Sequence, residues 1–360
     1  IPSRRDSRKA SFKQKPYLLL MKSPFKFLDS YQKEDRDIFF GRDKEIDQLY
    51  EKVFESNLIL LHGLSGTGKS SLINCGLCNK FEDTDWFSIF IRRQNNLMES
   101  FEHQLRAHSL GEVPPNTPIP KILKSIFYDQ YKPIYLIFDQ FEELFILGKD
   151  EERKAFFTLL AEILSMNLQL TVLLSMREEY IAYLSDYEYI VPSLFENRFR
   201  LEKMRRHHIR EVITGTLKAY DILLIEPEET TEAIMYNLAD PYGTIDLTSL
   251  QVYFDLMYRK KSQDGEKIVF DPQLVERVGT IGEAMKTFLI HRMVEVGQEI
   301  GNNQVPLTIL YTLVTHEGTR RSADVNEILK TLPKKYHIDR ERVELCLRRF
   351  EEMRILRSFV

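Results

Sequence analysis

Residues 63–70 read Gly-Leu-Ser-Gly-Thr-Gly-Lys-Ser, which fills the spacing G-x-x-x-x-G-K-[ST]. Each residue type in this run suits one task in holding phosphate. Gly63, Gly66 and Gly68 allow backbone angles and a close approach that a Cβ would block, so that N–H groups converge on one concavity. If a helix begins at its end, the aligned peptide dipoles place about half a positive charge there. Lys69 adds a full charge that reaches β- and γ-phosphates, and the Ser70 hydroxyl can ligate Mg²⁺. The loop residues Gly63, Ser65, Gly66, Thr67, Gly68, Lys69, Ser70 and Ser71 are therefore the first candidate nucleotide contacts.

Two further segments carry matching chemistry. Ile134-Tyr135-Leu136-Ile137-Phe138-Asp139 is an apolar run ending in an acid. Placed at a strand's C-terminal end beside the phosphate loop, Asp139 can hold Mg²⁺ through water opposite Ser70. Glu142 and Glu143 follow, and either can orient an attacking water as general base. Gln140 stands directly after Asp139, and an amide cannot accept a proton, which predicts slow hydrolysis unless Glu142 or Glu143 serves. Thr171-Val172-Leu173-Leu174-Ser175-Met176-Arg177 is a second apolar run ending in a charge. A guanidinium there can meet a γ-phosphate; at 4 Å and an effective dielectric of 20 the attraction is about 4 kcal/mol per pair of unit charges.

These residues must be positioned by strands and helices. Short apolar runs at Leu58–Leu61, Trp86–Ile91, Ile134–Phe138 and Leu168–Leu174 alternate with helical stretches, the pattern of a parallel α/β sheet. Leu58–Leu61 before the loop and Ser71–Asn74 after it give the order strand, loop, helix. Pro114, Pro115, Pro118 and Pro120 mark a loop before a helix near Lys121–Tyr128. From about Arg206 strand signals fade, and helices are predicted at His207–Tyr220, Thr230–Leu238, Ser249–Lys260 and Glu283–Val296. Further helices are expected at Leu307–Thr315, Ala323–Leu332 and Arg340–Glu352, then a short strand at Ile355–Val360. Three helices plus a strand suggest a winged helix without its second wing strand. The expected division is a basic linker or tail over 1–22, a nucleotide-binding domain over 23–204, a helical lid over 205–300 and a winged helix over 301–360.

Composition excludes some classes. The 360 residues carry 50 basic and 54 acidic side chains, a net charge of −4, so no global affinity for nucleic acid is implied. No apolar run is long enough to span a membrane and no signal peptide is evident. With only three cysteines, a cytoplasmic setting is expected. Cys75 and Cys78 form a lone C-x-x-C and read as packing residues. Starting at Ile rather than Met, the chain is expected to be part of a longer polypeptide. Arg198, Arg200, Lys203, Arg205, Arg206, His207, His208 and Arg210 form a basic cluster that either holds nucleic-acid phosphates or is a solvated hinge.

Phe39-Phe40-Gly41-Arg42-Asp43-Lys44-Glu45-Ile46, the loop, Asp139-Gln140-Phe141-Glu142-Glu143-Leu144-Phe145 and Ser175-Met176-Arg177 together resemble the STAND class of signal-transduction NTPases, in its novel STAND branch, related to the NACHT and NB-ARC signalling ATPases. Pro192–Leu201 and residues 317–321 are similar to that branch as well, so the resemblance covers about 24–356. It implies a P-loop NTPase fold: a three-layer α/β/α parallel sheet, then a helical lid and a winged helix. It implies ATP or ADP with Mg²⁺ as ligands, Phe40, Gly41 and Arg42 near the base or ribose, Lys69 and Ser70 on phosphate and Mg²⁺, Asp139 as the metal-side acid, Glu142 as the catalytic acid and Arg177 as the post-strand arginine. The two Phe side chains also suit a core role. His316 falls where related winged helices touch the β-phosphate, and Arg320 and Arg321 where nucleotide or interdomain contacts, or a solvated wing, would lie. One departure stands out: many relatives carry a base-packing proline in a stretch matched here by Leu247-Thr248-Ser249-Leu250-Gln251, which has none.

Two functions fit. One is a regulatory switch that closes over ADP as a monomer and, opened with ATP, forms a homo-oligomer between fused or partner sensor and effector domains, as in bacterial defence or stress signalling. The other is a nucleic-acid-associated ATPase of the origin-binding or loader type.

Overall fold

The computed structural model describes residues 23–27, 29–82, 84–262, 268–314, 321, 323–333, 338–352 and 355–356. A 3₁₀ turn at Lys33–Ile38 leads into α1 (Asp43–Glu55) and β1 (Leu58–Gly63). The loop ends at α2 (Lys69–Ser71), which continues as a π turn and a 3₁₀ turn to Asn79. Then follow β2 (Phe87–Ile91), α3 (Leu97–Ala107), α4 (Ile119–Gln130), β3 (Ile134–Asp139), α5 (Glu143–Ile146), α6 (Asp150–Ser165), β4 (Leu170–Arg177) and β5 (Arg198–Arg200).

The strands form one five-stranded sheet in the order β2-β3-β4-β1-β5, parallel throughout. Alternation along each strand sends side chains to two faces. Leu60, Leu136, Phe138 and Leu174 pack with α3, α4 and α6 residues such as Phe101, Leu123 and Phe156. Leu61, Ile137 and Leu173 pack with Leu49 and Val53 of α1 and with Leu72 and Leu77 after the loop. This is the expected three-layer sandwich, and near-continuous apolar runs are what a sheet covered on both faces requires. The sheet departs from the sequence reading at two strands. β4 runs on to include Arg177, and β5 lies inside the segment read only as a basic cluster; its alternation of Arg198 and Arg200 around Phe199 is an edge-strand pattern that charge masked.

The helical half comprises α7 (Arg206–Ala219), β6 (Leu223–Leu224), α8 (Pro227–Leu238), α9 (Leu247–Ser262), β7 (Val269–Phe270), α10 (Pro272–Val278) and α11 (Ile281–Ile300). β6 and β7 pair in parallel, a small sheet the fading strand signal did not predict. Ile213, Leu217, Ile234, Leu250, Phe254 and Leu274 form their core. Phe25 joins this core rather than the sheet's, its ring 5.1 Å from Phe254 and 5.3 Å from Tyr220. A last core, including Val296, Val305, Ile309, Ile328, Val343 and Phe350, unites α11 with α12 (Val305–Thr312), α13 (Val325–Thr331) and α14 (Arg340–Glu352). Three helices therefore stand where a winged helix was expected. His316, Arg320 and residues 357–360 of the expected final strand lie outside the described residues.

All three cysteines are buried and unpaired, and burial pushes each thiol up to about 12, as expected of packing residues. Among the described residues, no helix is long and apolar enough to cross a membrane.

Candidate functional site

Register brings the predicted residues to one edge of the sheet. Gly63 at the end of β1 lies level with Arg177 at the end of β4, and Asp139 at the end of β3 lies level with Ser175. In an open parallel sheet the crevice beyond the strands' carboxyl ends is where ligands collect. A cavity of about 230 Å³ opens here, roofed by α9.

Its polar end is the loop. Gly66 and Gly68 take φ of +75° and +91°, angles that L side chains rarely adopt. The ammonium of Lys69 donates to the carbonyls of Gly63 (2.8 Å) and Leu64 (2.9 Å), folded back on its own loop. Burial lowers its pKa, opposed by Glu142. The Ser70 hydroxyl donates to Asp139, at 2.8 and 3.0 Å from its two oxygens. Asp139 also accepts from the Ser175 hydroxyl (3.2 Å) and forms an ion pair with Arg92. Among the described residues no group of three or more His, Cys, Asp or Glu side chains is arranged to hold a metal ion. One hydroxyl and one carboxylate in contact nonetheless fit Mg²⁺, which keeps several waters and takes its remaining ligands from phosphate oxygens.

Gln140 turns the chain out of β3 with φ of +59°, a region sparsely used by residues with a Cβ. The turn sends Glu142 back beneath the cavity, where it is buried. Its carboxylate accepts from the Arg177 backbone N–H (3.2 Å) and pairs with the Arg177 guanidinium (3.1 Å). Burial raises the Glu142 pKa; Arg177 and Lys69 oppose that shift without reversing it. Glu142, Asp139, Gln140 and Arg177 line the cavity, and Glu143 does not. Of the two candidate bases, only Glu142 faces the space where phosphates would lie.

The upstream motif divides its labour. Arg42 lines the cavity, but it is 3% exposed and its guanidinium is engaged. It donates to the carbonyls of Thr67 (3.0 Å) in the loop and Glu202 (2.8 Å) in the segment leading to α7, and pairs with Glu45. Burial lowers its pKa. A buried cation needs such partners, so Arg42 is a strut joining the loop to the helical half. Phe40 lines the cavity and also packs against Gly215, where an added Cβ would come within 2.9 Å of the ring. Gly41 backs onto Val212 and Met204.

Sequence reasoning missed several contributors. Arg92 carried the same signal as Arg177, a basic residue just past a strand, and went unused. Ser175 gave no signal of its own and acts through register. Without the proline, the stretch 247–251 still covers the loop. Asp246 caps α9 by accepting from Thr248 N–H (2.7 Å), and a Cβ on Gly66 would lie 2.0 Å from its carboxylate. Leu247 would meet a Cβ on Gly68 at 3.5 Å. Leu247, Thr248 and Gln251 line the cavity with Phe27, Tyr31 and Phe39 from the N-terminal segment.

Four of the eight residues of the basic cluster are paired with acids within the protein. Arg200 pairs with Glu178, Lys203 with Asp240, and Arg206 and Arg210 both with Glu232.

The family model described as Novel STAND NTPase 1 matches residues 24–358. Among solved structures, the chain is similar to the Aeropyrum pernix ORC2 protein in its ADPNP–ADP complexes, at 13% identity and a TM-score of 0.55 over 88% of this chain and 95% of that one. It is also similar to the Aeropyrum pernix ORC1 protein in complex with DNA, at 14% identity and a TM-score of 0.50 over 88% of this chain and 84% of that one. At such identity these likenesses show a shared fold. Comparison with curated protein sequences gives no match.

Proposed function

Because the chain belongs to the Novel STAND NTPase 1 family, we propose that it is a nucleotide-gated switch that binds ATP or ADP with Mg²⁺ between sheet and lid and hydrolyses ATP slowly. One observation carries this reading: the helical roof rests directly on the phosphate loop, Asp246 against Gly66 and Leu247 against Gly68. What the loop holds and where α9 sits therefore cannot vary independently. Moving such an equilibrium from 1:99 to 99:1 takes about 5.5 kcal/mol of differential interaction. A γ-phosphate near Lys69 and Arg177 is of that order, at about 4 kcal/mol per close pair of unit charges before desolvation.

In this reading Lys69 exchanges its two loop carbonyls for phosphate oxygens, and the loop N–H groups take the rest. Ser70 and Asp139 hold Mg²⁺, which neutralises phosphate charge. Arg177 turns from Glu142 to the γ-phosphate, and the freed Glu142 accepts a proton from the attacking water. With Gln rather than an acid at 140, Glu142 serves as the base, and its pairing with Arg177 in the resting state keeps turnover slow. The functional units we assign are the nucleotide-binding domain 23–204, the lid 205–300 and a winged helix 301–360. Homo-oligomerisation on opening, sensor and effector partners, and a cytoplasmic defence or stress role belong to the same proposal.

The paired state of Arg200, Lys203, Arg206 and Arg210 argues against the alternative of a nucleic-acid-driven ATPase, despite the fold shared with a DNA-bound protein. The test is Glu142→Gln. Its hydrolysis should fall at least about a hundredfold while Mg·ATP binding stays within a few-fold, and light scattering should show larger assemblies with ATP than with ADP. Rapid hydrolysis stimulated by DNA in the unmodified chain would favour the alternative instead.

A further inference from the structure

Asp139 is 4% exposed, and the protein supplies it with a cation of its own. Arg92 stands one residue past β2, the strand that flanks β3. Its Nε donates to Asp139 Oδ2 (3.1 Å), and its Nη2 meets the same oxygen. Oδ2 is also the oxygen nearer the Ser70 hydroxyl, at 2.8 Å against 3.0 Å for Oδ1, while Oδ1 accepts from Ser175 (3.2 Å). A cation bridging Ser70 and Asp139 would therefore need the oxygen that the guanidinium holds. The backbone that carries Arg92 is fixed by its neighbour. Arg93 is buried and grips the buried Glu152 with two bonds of 2.9 Å, and Glu152 also accepts the Leu97 N–H (2.6 Å) at the start of α3. The Arg92 side chain, by contrast, is 40% exposed and lines the cavity. A long side chain on a fixed backbone can leave Asp139 without disturbing the sheet. Another carboxylate stands near it: burial and Glu142 raise the pKa of the half-buried Glu143, and Arg92 and Arg93 oppose that shift.

We propose that Arg92 is the resident counter-ion of the metal site: it holds the place of Mg²⁺ on Asp139 in the nucleotide-free protein, so that the site refuses a divalent cation alone and takes one only with nucleotide phosphates. This rests on the nucleotide-site reading above and adds the rule by which the metal enters. A buried carboxylate left without a cation is costly, so Asp139 keeps Arg92 until another positive charge replaces it. A guanidinium and a divalent ion repel each other at contact distance, so the two cannot share one oxygen. A free metal ion gains Asp139 and Ser70 but strands Arg92. A metal ion that arrives on a nucleotide brings anionic oxygens, and these together with Glu143 give the displaced guanidinium new partners.

The test is titration of the whole nucleotide-free chain with Mn²⁺, which suits the same oxygen ligands, followed by electron paramagnetic resonance of the free ion. The unmodified chain should show no Mn²⁺ binding that Asp139→Asn removes. Arg92→Gln, polar but uncharged, should gain such binding, at least about tenfold tighter than any in the unmodified chain, whereas Arg92→Lys, which keeps the charge, should not. Titration with ADP gives a second readout. When Mg²⁺ is chelated, Arg92→Gln leaves Asp139 uncompensated before the phosphates, so its loss of ADP affinity on chelation should exceed that of the unmodified chain at least about tenfold. Asp139-dependent Mn²⁺ binding in the unmodified nucleotide-free chain would overturn the proposal, and that comparison stands even where Arg92→Gln does not fold. Unchanged Mn²⁺ binding in Arg92→Gln, a gain as large in Arg92→Lys, or equal losses on chelation would each overturn it too. If Mn²⁺ binding is unchanged in Arg92→Gln while Lys69→Ala abolishes Mg·ADP binding, the nucleotide site stands and the role of Arg92 falls. If the unmodified chain binds no ADP with Mg²⁺, the nucleotide reading falls and the proposal with it.

Discussion

The two ends of the cavity are built on opposite plans. At the phosphate end every charged group already has a partner within the protein: Lys69 on loop carbonyls, Ser70 and Arg92 on Asp139, and Arg177 on Glu142. At the base end the walls are mostly apolar, and among the described residues Gln251 Oε1 and Arg42 Nε are buried there without a hydrogen-bond partner. The first end must exchange partners to take a ligand, and the second needs only to be filled. On the proposed reading, a nucleotide's phosphates set the state of the site and its base fills the apolar end. In the proposed switch, this exchange is the device: Glu142 would serve as base only after releasing Arg177, and Arg177 would meet a phosphate only after releasing Glu142.

The largest effect should follow from removing the ammonium of the phosphate loop itself. Lys69→Ala should weaken Mg·ADP binding at least about a hundredfold, or about 2.7 kcal/mol, with the far-ultraviolet circular dichroism unchanged. Affinity retained within threefold would show that the polar end does not carry binding. Next comes the contact between the two ends. Gly66→Ala places a Cβ on the Asp246 carboxylate at a backbone angle unsuited to it, and should cost about 1–3 kcal/mol in urea unfolding. A cost below about 0.5 kcal/mol would mean that the roof does not bear on the loop.

The smallest effect is in pH. Burial raises the Glu142 pKa, so the protonated form persists above the ordinary carboxylate value of about 4.3. A base works only when deprotonated, so hydrolysis at saturating ATP should fall as pH drops through that raised value. An acid limb at or below the ordinary value would contradict the burial argument.

Legibility in the sequence follows the same division. The phosphate end was readable because its parts are local: a contiguous loop, and apolar runs ending in Asp139 and Arg177, whose buried strands announce themselves. The fold of the sheet was readable for that reason too. The partners that close the network were not. Ser175 reaches Asp139 only through strand register, and Arg92 only once β2 is known to flank β3. The base end is assembled from segments near residues 25–40, 204–212 and 247–251, each unremarkable alone. Arg42 shows the limit of a motif: its position was foreseen, but its role as a strut to Thr67 and Glu202 depends on a chain segment 160 residues away. The missing lid proline was legible, but that Asp246 and Leu247 lie against the phosphate loop was not, because that contact depends on how the lid folds back over the sheet.

The claim that a nucleotide couples loop and lid is tested most directly by hydrogen exchange with and without Mg·ADP, followed by mass spectrometry. The account predicts that residues 63–71 and 247–255 gain protection together, and that both gains vanish in Lys69→Ala. Protection confined to the phosphate loop, with exchange in α9 unchanged, would contradict it.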